Sequence, residues 1–304
     1  MTKVPDNAQP IRWGAGLTHL SVVYVVWGST YLAIRVAVRE GSGIEPFMLG
    51  ATRTLAAGLL LLGWSILRRT KLRPTRREAA TLLASGLLLW IGGNGLVNWA
   101  EQHADSGYAA LLVGTMPLWV ALTEAIIDRR VPSIRFVASL LLGFAGLILL
   151  SYPEIRQGGK ADFLALIALV LAPLSWGLGS VLLSRRPVAL KPSVTSAYQQ
   201  LTGCAGFFLL AWILGEPAMN PTSEAWLAWG YLVIAGSLVA FTSFLLTLRL
   251  LPTSVVMTYA YVNPVIAVFL GWSILNETIT LWTLGGTACI LFGVAGVFHE
   301  KRTW

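Results

Sequence analysis

Charge is what this chain has least of. Only 12% of its 304 residues are Asp, Glu, Lys or Arg, against about 25% in an ordinary soluble domain. So few charges cannot cover a water-facing surface of this size, which excludes a soluble globular protein. Cysteine is almost missing too. Cys204 and Cys289 both sit inside apolar runs, which argues against a disulfide framework and makes each a small buried hydrophobe. Zinc-ligand spacing, a Walker motif, a Gly-rich phosphate loop and a nucleophile triad are all absent from the sequence, so metal, cofactor and ATP-driven chemistry have no carrier here. An intramembrane enzyme would need paired ionisable groups at one depth, and Glu101 is the one plausible acid, so the chain does not read as an enzyme.

What the chain has is apolar length. Apolar residues make up 56% of it, and the mean hydropathy is +0.69. A bilayer core of about 30 Å needs roughly 20 helical residues. Ten segments reach or approach that length: Leu17–Val38, Phe47–Leu67, Ala79–Ala100, Gly107–Ile127, Ile134–Tyr152, Phe163–Ser184, Val194–Leu214, Trp226–Thr247, Ser254–Leu275 and Leu281–Phe298. In lipid the backbone must bond within its own segment, so these are predicted to be helices. The first run is too long for a signal-peptide core and is expected to stay in the mature protein.

The net charge of +8 would suit nucleic acid if it formed one face. Instead the Lys and Arg residues form short clusters between apolar runs, where they set topology. With the N-terminus in the cytoplasm, 17 of the 22 basic residues fall inside, 3 fall outside (Arg39, Arg156 and Lys160), and Arg35 and Arg53 lie within spans. That asymmetry places both termini in the cytoplasm and requires an even number of spans.

The halves echo each other. Trp27-Gly28-Ser29 in the first span matches Trp176-Gly177-Leu178-Gly179-Ser180 in the sixth. Pro117 in the fourth matches Pro264 in the ninth. Gly143-Phe144-Ala145-Gly146 in the fifth matches Gly293-Val294-Ala295-Gly296 in the tenth. Five is odd, so the second copy must be inverted, and inverted repeats place substrate sites at their interface near the midplane. The expected fold is therefore all-α, ten transmembrane helices in a 5+5 inverted repeat, with halves at 14–153 and 162–299.

Several segments also resemble a known family: Trp27-Gly28-Ser29-Thr30-Tyr31, Gly93-Asn94-Gly95 with Ala100-Glu101, Ser106-Gly107-Tyr108-Ala109-Ala110, Ser175 to Ser180, Tyr259 to Val265, and Glu277-Thr278. The chain resembles the drug/metabolite transporter superfamily, specifically its ten-helix proteins with two EamA domains, in the YedA-like branch. The resemblance implies movement of small metabolites, amino acids or drugs across the cytoplasmic membrane, often outward. One departure is that Arg129-Arg130 occupies the first-half counterpart of Glu277, which breaks any symmetric role for that glutamate.

Polar residues inside the spans are the site candidates. Trp90, Asn94, Asn98 and Glu101 share one face of the third span, and buried carboxamides are costly without a partner or water. The eighth span is apolar around Phe241 and Leu245, so the polar face is not demanded by the repeat. It is expected to line a cavity, the bland alternative being interhelical hydrogen bonds. Trp27, Trp119 and Trp176 are deep, and each indole N–H needs a partner; they line a cavity or simply pack. Tyr31 joins them through the family-like segment that carries Trp27. Tyr259 and Asn263 stand one turn apart beside Pro264, and Thr115 stands beside Pro117; each proline breaks the helical ladder or merely shapes the bundle. Arg53 and Arg35 are placed to snorkel or to bond helix-end carbonyls. The functional alternative pairs one of them with Glu101 or with a substrate carboxylate. Glu101, Arg53, Pro117 and Pro264 are thus the coupling or gating candidates.

The expected function is a secondary transporter, an exporter working by alternating access in the bacterial cytoplasmic (inner) membrane. A facilitative uptake or exchange permease is the alternative, followed by a non-transporting sensor or an intramembrane enzyme. The expected partners are a small-molecule substrate and membrane lipid, with proton coupling through Glu101 as an option and no nucleic acid, cofactor or metal. A monomer suffices for this reading, and a dimer is compatible with it.

Overall fold

The computed structural model describes residues 12–100, 111–156, 163–275 and 279–302, without the side chains of Tyr31 and Arg35 among a few others. The described residues fold into helices and contain no strand. In chain order the helices are α1 (Trp13–Val38), α2 (Pro46–Leu67), α3 (Arg76–Ala100), α4 (Met116–Asp128) and α5 (Ile134–Arg156). They continue as α6 (Phe163–Arg185), α7 (Pro192–Leu214), α8 (Ser223–Leu250), α9 (Tyr259–Leu275) and α10 (Leu281–Arg302). A helical turn, Thr253–Val256, precedes α9.

Nine stretches of the described residues, from α2 onward, are long and apolar enough to cross a membrane. The 26-residue α1 is ~39 Å long at 1.5 Å per residue, enough by length to cross a bilayer core. Its polar side chains are used inside the bundle. Tyr24 Oη meets Thr258 Oγ1 at 2.5 Å, and His19 Nδ1 meets Ser243 Oγ at 3.3 Å.

The helices start where local chemistry allows. Pro46 opens α2 and Pro192 opens α7, where a missing N–H costs nothing. Thr75 caps α3 in a capping box with Glu78, and Thr222 caps α8. The Ser133 hydroxyl accepts the Phe136 N–H at the start of α5, as Thr280 Oγ1 accepts the Thr283 N–H at the start of α10. The pairs Thr75/Thr222, Pro117/Pro264 and Ser133/Thr280 all share one spacing along the chain.

Packing follows the same plan. α2 packs along α7, and α5 along α10. α1 lies against α8 and α9, while α6 lies against α3 and α4. The two Gly-x-x-Gly segments noted in the sequence meet each other. A Cβ on Gly146 would stand 2.7 Å from the Gly286 carbonyl oxygen, and one on Gly293 would stand 2.5 Å from the Gly143 nitrogen. Only glycine permits backbones to approach this closely, and such small-residue seams hold helices together where lipid removes the hydrophobic drive.

Two features depart from the expected straight spans. Residues Leu87–Gly95 of α3 and Leu232–Ala240 of α8 are wound as π-helix, nine residues each. The chain is also interrupted just before α4 and just before α9. Thr115 N bonds Leu112 O at 3.1 Å, and Thr258 N bonds Val255 O at 3.2 Å, both tight i→i−3 turns. Pro117 therefore sits in the first turn of α4 rather than kinking a continuous helix, whereas Pro264 does lie inside α9.

The two ends are tied by different chemistry. At the arginine-rich end, Arg185 forms a two-pronged ion pair with Asp128 at 2.6 Å, joining α6 to α4. There Arg249 donates to the carbonyls of Val188 (3.3 Å) and Leu190 (2.9 Å), and Glu78 accepts the Ala189 N–H at 2.8 Å. At the other end Glu216 accepts the N–H groups of Phe47 and Met48 at the start of α2, and Arg39 pairs with Glu224. Burial raises the Glu216 carboxyl above its ordinary value, outweighing the two backbone hydrogen bonds that lower it; Glu45 nearby adds to the rise.

Candidate functional site

Aromatic side chains from α1, α3, α6, α8 and α9 converge. The Trp27 ring lies 5.0 Å from Tyr259, 5.2 Å from Phe244 and 5.7 Å from Trp176 between centroids. Trp90 lies 5.0 Å from Phe241 and 6.4 Å from Trp176. Most of these contacts are edge-on or tilted, as the ring quadrupole prefers. Glycines make room for them. A Cβ on Gly93 would meet Trp176 at 2.7 Å, and one on Gly203 would meet Trp90 at 2.6 Å.

The cluster is bound to the two π-wound segments. Trp27 Nε1 donates to the Gly236 carbonyl in α8 at 3.2 Å, and Ser175 Oγ donates to the Leu88 carbonyl in α3 at 2.9 Å. Each contact thus runs from α1 or α6 to a wide turn of the helix it faces. The sequence pairing of Trp27 with Trp176 does not extend to hydrogen bonding. The indole N–H groups of Trp90 and Trp176 are buried without a partner, and an unmet buried donor costs about 1–3 kcal/mol.

Arg53 of α2 enters the same centre. It is only 7% exposed. Its Nε donates to Ser237 Oγ in α8 at 2.7 Å, and its guanidinium carbon lies 5.9 Å from the Trp90 ring. The snorkelling expectation is not met, because the side chain turns inward to α8. Among the described residues no carboxylate is bonded to it. Gln200 of α7 reaches the same turn, donating to the Ser237 carbonyl at 3.3 Å.

The remaining candidates divide. Tyr259 joins the cluster and donates to Met116 Sδ at 3.2 Å. Asn263, 2% exposed, spends its amide on backbone, its NH2 donating to the carbonyls of Tyr24 (3.3 Å) and Tyr259 (3.1 Å). Tyr261 points elsewhere, to the Leu140 carbonyl of α5 at 3.1 Å. Trp119 Nε1 is satisfied within its own helix by Thr115 Oγ1 at 3.1 Å, which ties both to local structure. Asn98 reaches the Pro46 carbonyl at 3.5 Å, a weak interhelical contact, and Asn94 is half-buried one turn beyond Trp90. The stripe Trp90–Asn94–Asn98 is therefore not one lining. Glu101, the side chain of Tyr31, Gly107 and Glu277 lie outside the described residues. Sequence reasoning missed Ser237 and Gln200; the signal was a serine one turn before Phe241 and the Gln199-Gln200 pair inside an apolar run.

A bundle of apolar helices with a polar and aromatic centre is the architecture of an integral membrane transporter. The chain belongs to the EamA-like transporter family, whose model matches residues 14–152 and 163–299. Among its relatives is the uncharacterized inner membrane transporter YedA of Escherichia coli (strain K12), 34% identical over 286 residues, 93% of this chain and 90% of that one. The S-adenosylmethionine/S-adenosylhomocysteine transporter of Chlamydia muridarum is 23% identical over 289 residues, 91% of this chain and 89% of that one. One solved crystal structure shares the fold with a TM-score of 0.81, at 22% identity, over 96% of this chain and 99% of its own. The chain is an inner-membrane transporter and not an enzyme.

Proposed function

We propose that the protein is a secondary transporter, an exporter of small metabolites, amino acids or amphipathic drugs, working by alternating access between two inverted five-helix halves, 14–153 and 162–299. In this reading α1 is the tenth span and both termini are cytoplasmic, as the Lys and Arg distribution favours. One observation carries the reading. The contacts are reciprocal: α1 meets α8 and α9 as α6 meets α3 and α4, while α2–α7 and α5–α10 pair with their own counterparts. Such reciprocity supports a two-fold axis in the membrane plane, the arrangement in which halves rock about a central site. The repeated caps, the repeated π-wound segments and the twofold family match support it. The named cargo of the Chlamydia relative supports a small metabolite as substrate.

The substrate would bind at the aromatic centre, with Trp27, Trp90, Trp176 and Tyr259 as its walls and Arg53 as its charge. Asn94, half-buried one turn beyond Trp90, borders that centre, and Pro264 lies inside α9, where its missing N–H leaves a place for the helix to bend. A monomer suffices. Counterflow of a broad metabolite and drug library in proteoliposomes tests the reading. Accumulation of at least one radiolabelled solute against its unlabelled form supports it, and folded protein that moves none of the library refutes it. Proton coupling through Glu101 is tested in the same vesicles. Glu101→Gln should abolish a response to a pH gradient, and an unchanged response removes Glu101 from coupling.

A further inference from the structure

We infer that Arg53 is the anchor for a substrate carboxylate, and that the transported class is small monocarboxylates with an apolar or aromatic body. The inference rests on the transporter reading above and narrows its substrate.

A buried guanidinium in a membrane bundle is costly unless an anion answers it. Arg53 has Ser237 Oγ, a neutral acceptor, on Nε, and the Trp90 face nearby. The described acids that have recorded partners are bonded at the bundle ends: Asp128 to Arg185, Glu224 to Arg39, Glu216 to the α2 start, Glu78 to Thr75 and Ala189, and Glu300 to Ser133.

The repeat removes a packing explanation. Counted from the prolines that open α2 and α7, Arg53 stands opposite Gln199, and by the spacing the other repeated pairs share it stands opposite Gln200, so a neutral carboxamide is its counterpart on either count. Gln199 also bridges to the helix it faces, donating to Ser85 Oγ of α3 at 2.7 Å. A neutral carboxamide fills that role in one half, so the positive charge in the other is surplus to packing.

The surroundings are rich in donors. The unpartnered indole N–H groups of Trp90 and Trp176 lie in the cluster that Arg53 abuts. Guanidinium forks match a carboxylate with two parallel bonds, and further N–H donors complete its lone pairs. The rest of the centre is ring surface from Trp27, Phe241, Phe244 and Tyr259, which suits an apolar body. When the halves part, the carboxylate enters on Arg53 and the body lies between the rings.

The test compares 3-phenylpropionate, phenylalanine and phenethylamine, which share a ring and differ in charge. Binding to the purified full chain is read by ligand-induced thermal shift, and flux by counterflow. The wild type should bind and move the two carboxylates and not the amine. Preference for 3-phenylpropionate over phenylalanine would give a site for the anion alone, and parity would give one that also admits the ammonium; both support the inference. Arg53→Gln should weaken carboxylate binding about 10- to 100-fold, the scale of a lost charged hydrogen-bond pair, with Arg53→Lys between. If Arg53→Gln misfolds, Trp90→Phe, which keeps an aromatic face and loses the N–H, should weaken carboxylates severalfold while sparing neutral ligands. Three results overturn the inference: carboxylate binding by Arg53→Gln within twofold of wild type, transport restricted to the amine, or a double-mutant cycle in which Arg53 and Glu101 couple in stability, which would assign Arg53 to an internal ion pair. A wild type that binds carboxylates yet moves no solute defeats the transporter reading while leaving the site in place.

Discussion

Replacing Gly293 by alanine should loosen the α5–α10 seam by an amount the geometry sets. The new Cβ would lie 2.5 Å from the Gly143 nitrogen, 2.7 Å from the Ser139 carbonyl oxygen and 2.8 Å from Gly143 Cα. All three are backbone atoms, so no rotamer change relieves the clash. Carbon contacts are comfortable from about 3.5 Å, so the helices must separate locally by roughly 1 Å. A gap of that size forfeits about a quarter to a half of each dispersion contact across the seam. Overpacked sites lose about 1–3 kcal/mol, while alanine returns up to about 1 kcal/mol in helix propensity. The net expectation is a loss of about 1–2 kcal/mol. Cys289 reports on the same seam, since a Cβ on Gly146 would sit 2.8 Å from Cys289 Cβ. Thiol-dye melting in detergent should therefore show a lower midpoint for Gly293→Ala and faster labelling of Cys289. Gly230→Ala, where a Cβ would meet nothing within 4 Å, is the control and should melt at or slightly above wild type. A Gly293→Ala protein with wild-type midpoint and labelling rate would refute the close-crossing argument.

Three other expectations follow from the ends of the bundle. Asp128→Asn breaks the pair with Arg185, whose side chains are 37% and 41% exposed; solvent screening limits the loss to about 1 kcal/mol or less, and the difference from wild type in melting should shrink in high salt. Arg249→Gln removes the charged donor to the Val188 and Leu190 carbonyls, so hydrogen exchange of residues 186–191 should speed up while the global melt changes little. Glu216 is held above its ordinary carboxyl value of 4.5, so the fold favours its protonated form. Relative to Glu216→Gln, wild type should be most stable at acidic pH and lose stability as pH rises from that ordinary value through the raised one; a pH-independent difference would contradict the assignment.

Much of the fold was legible because lipid enforces simple rules. Apolar length marked the helices α1 to α10, and the Gly-x-x-Gly match marked two segments, in α5 and α10, that do pack on each other. The site was less legible. Helical spacing put Trp90, Asn94 and Asn98 on one face, but π-winding at Leu87–Gly95 shifts the phase within that run, and Asn98 ends near the α2 start. Mid-span polarity did not separate Asn263, which bonds backbone, from Tyr259, which joins the ring cluster. The inward turn of Arg53 depends on Ser237, 184 residues away, a pairing that no local pattern announces.

Alternating access around the aromatic centre is most directly tested by paired spin-label distances at the two ends. Labels at Val131 and Arg186, both exposed beside the Asp128–Arg185 pair, report the arginine-rich end. Labels at Glu40 and Ser223, beside Arg39–Glu224, report the other. In membranes with a transported substrate, alternating access predicts two populations in which one distance lengthens as the other shortens. Fixed distances at both ends, in vesicles where flux is measured, would contradict it.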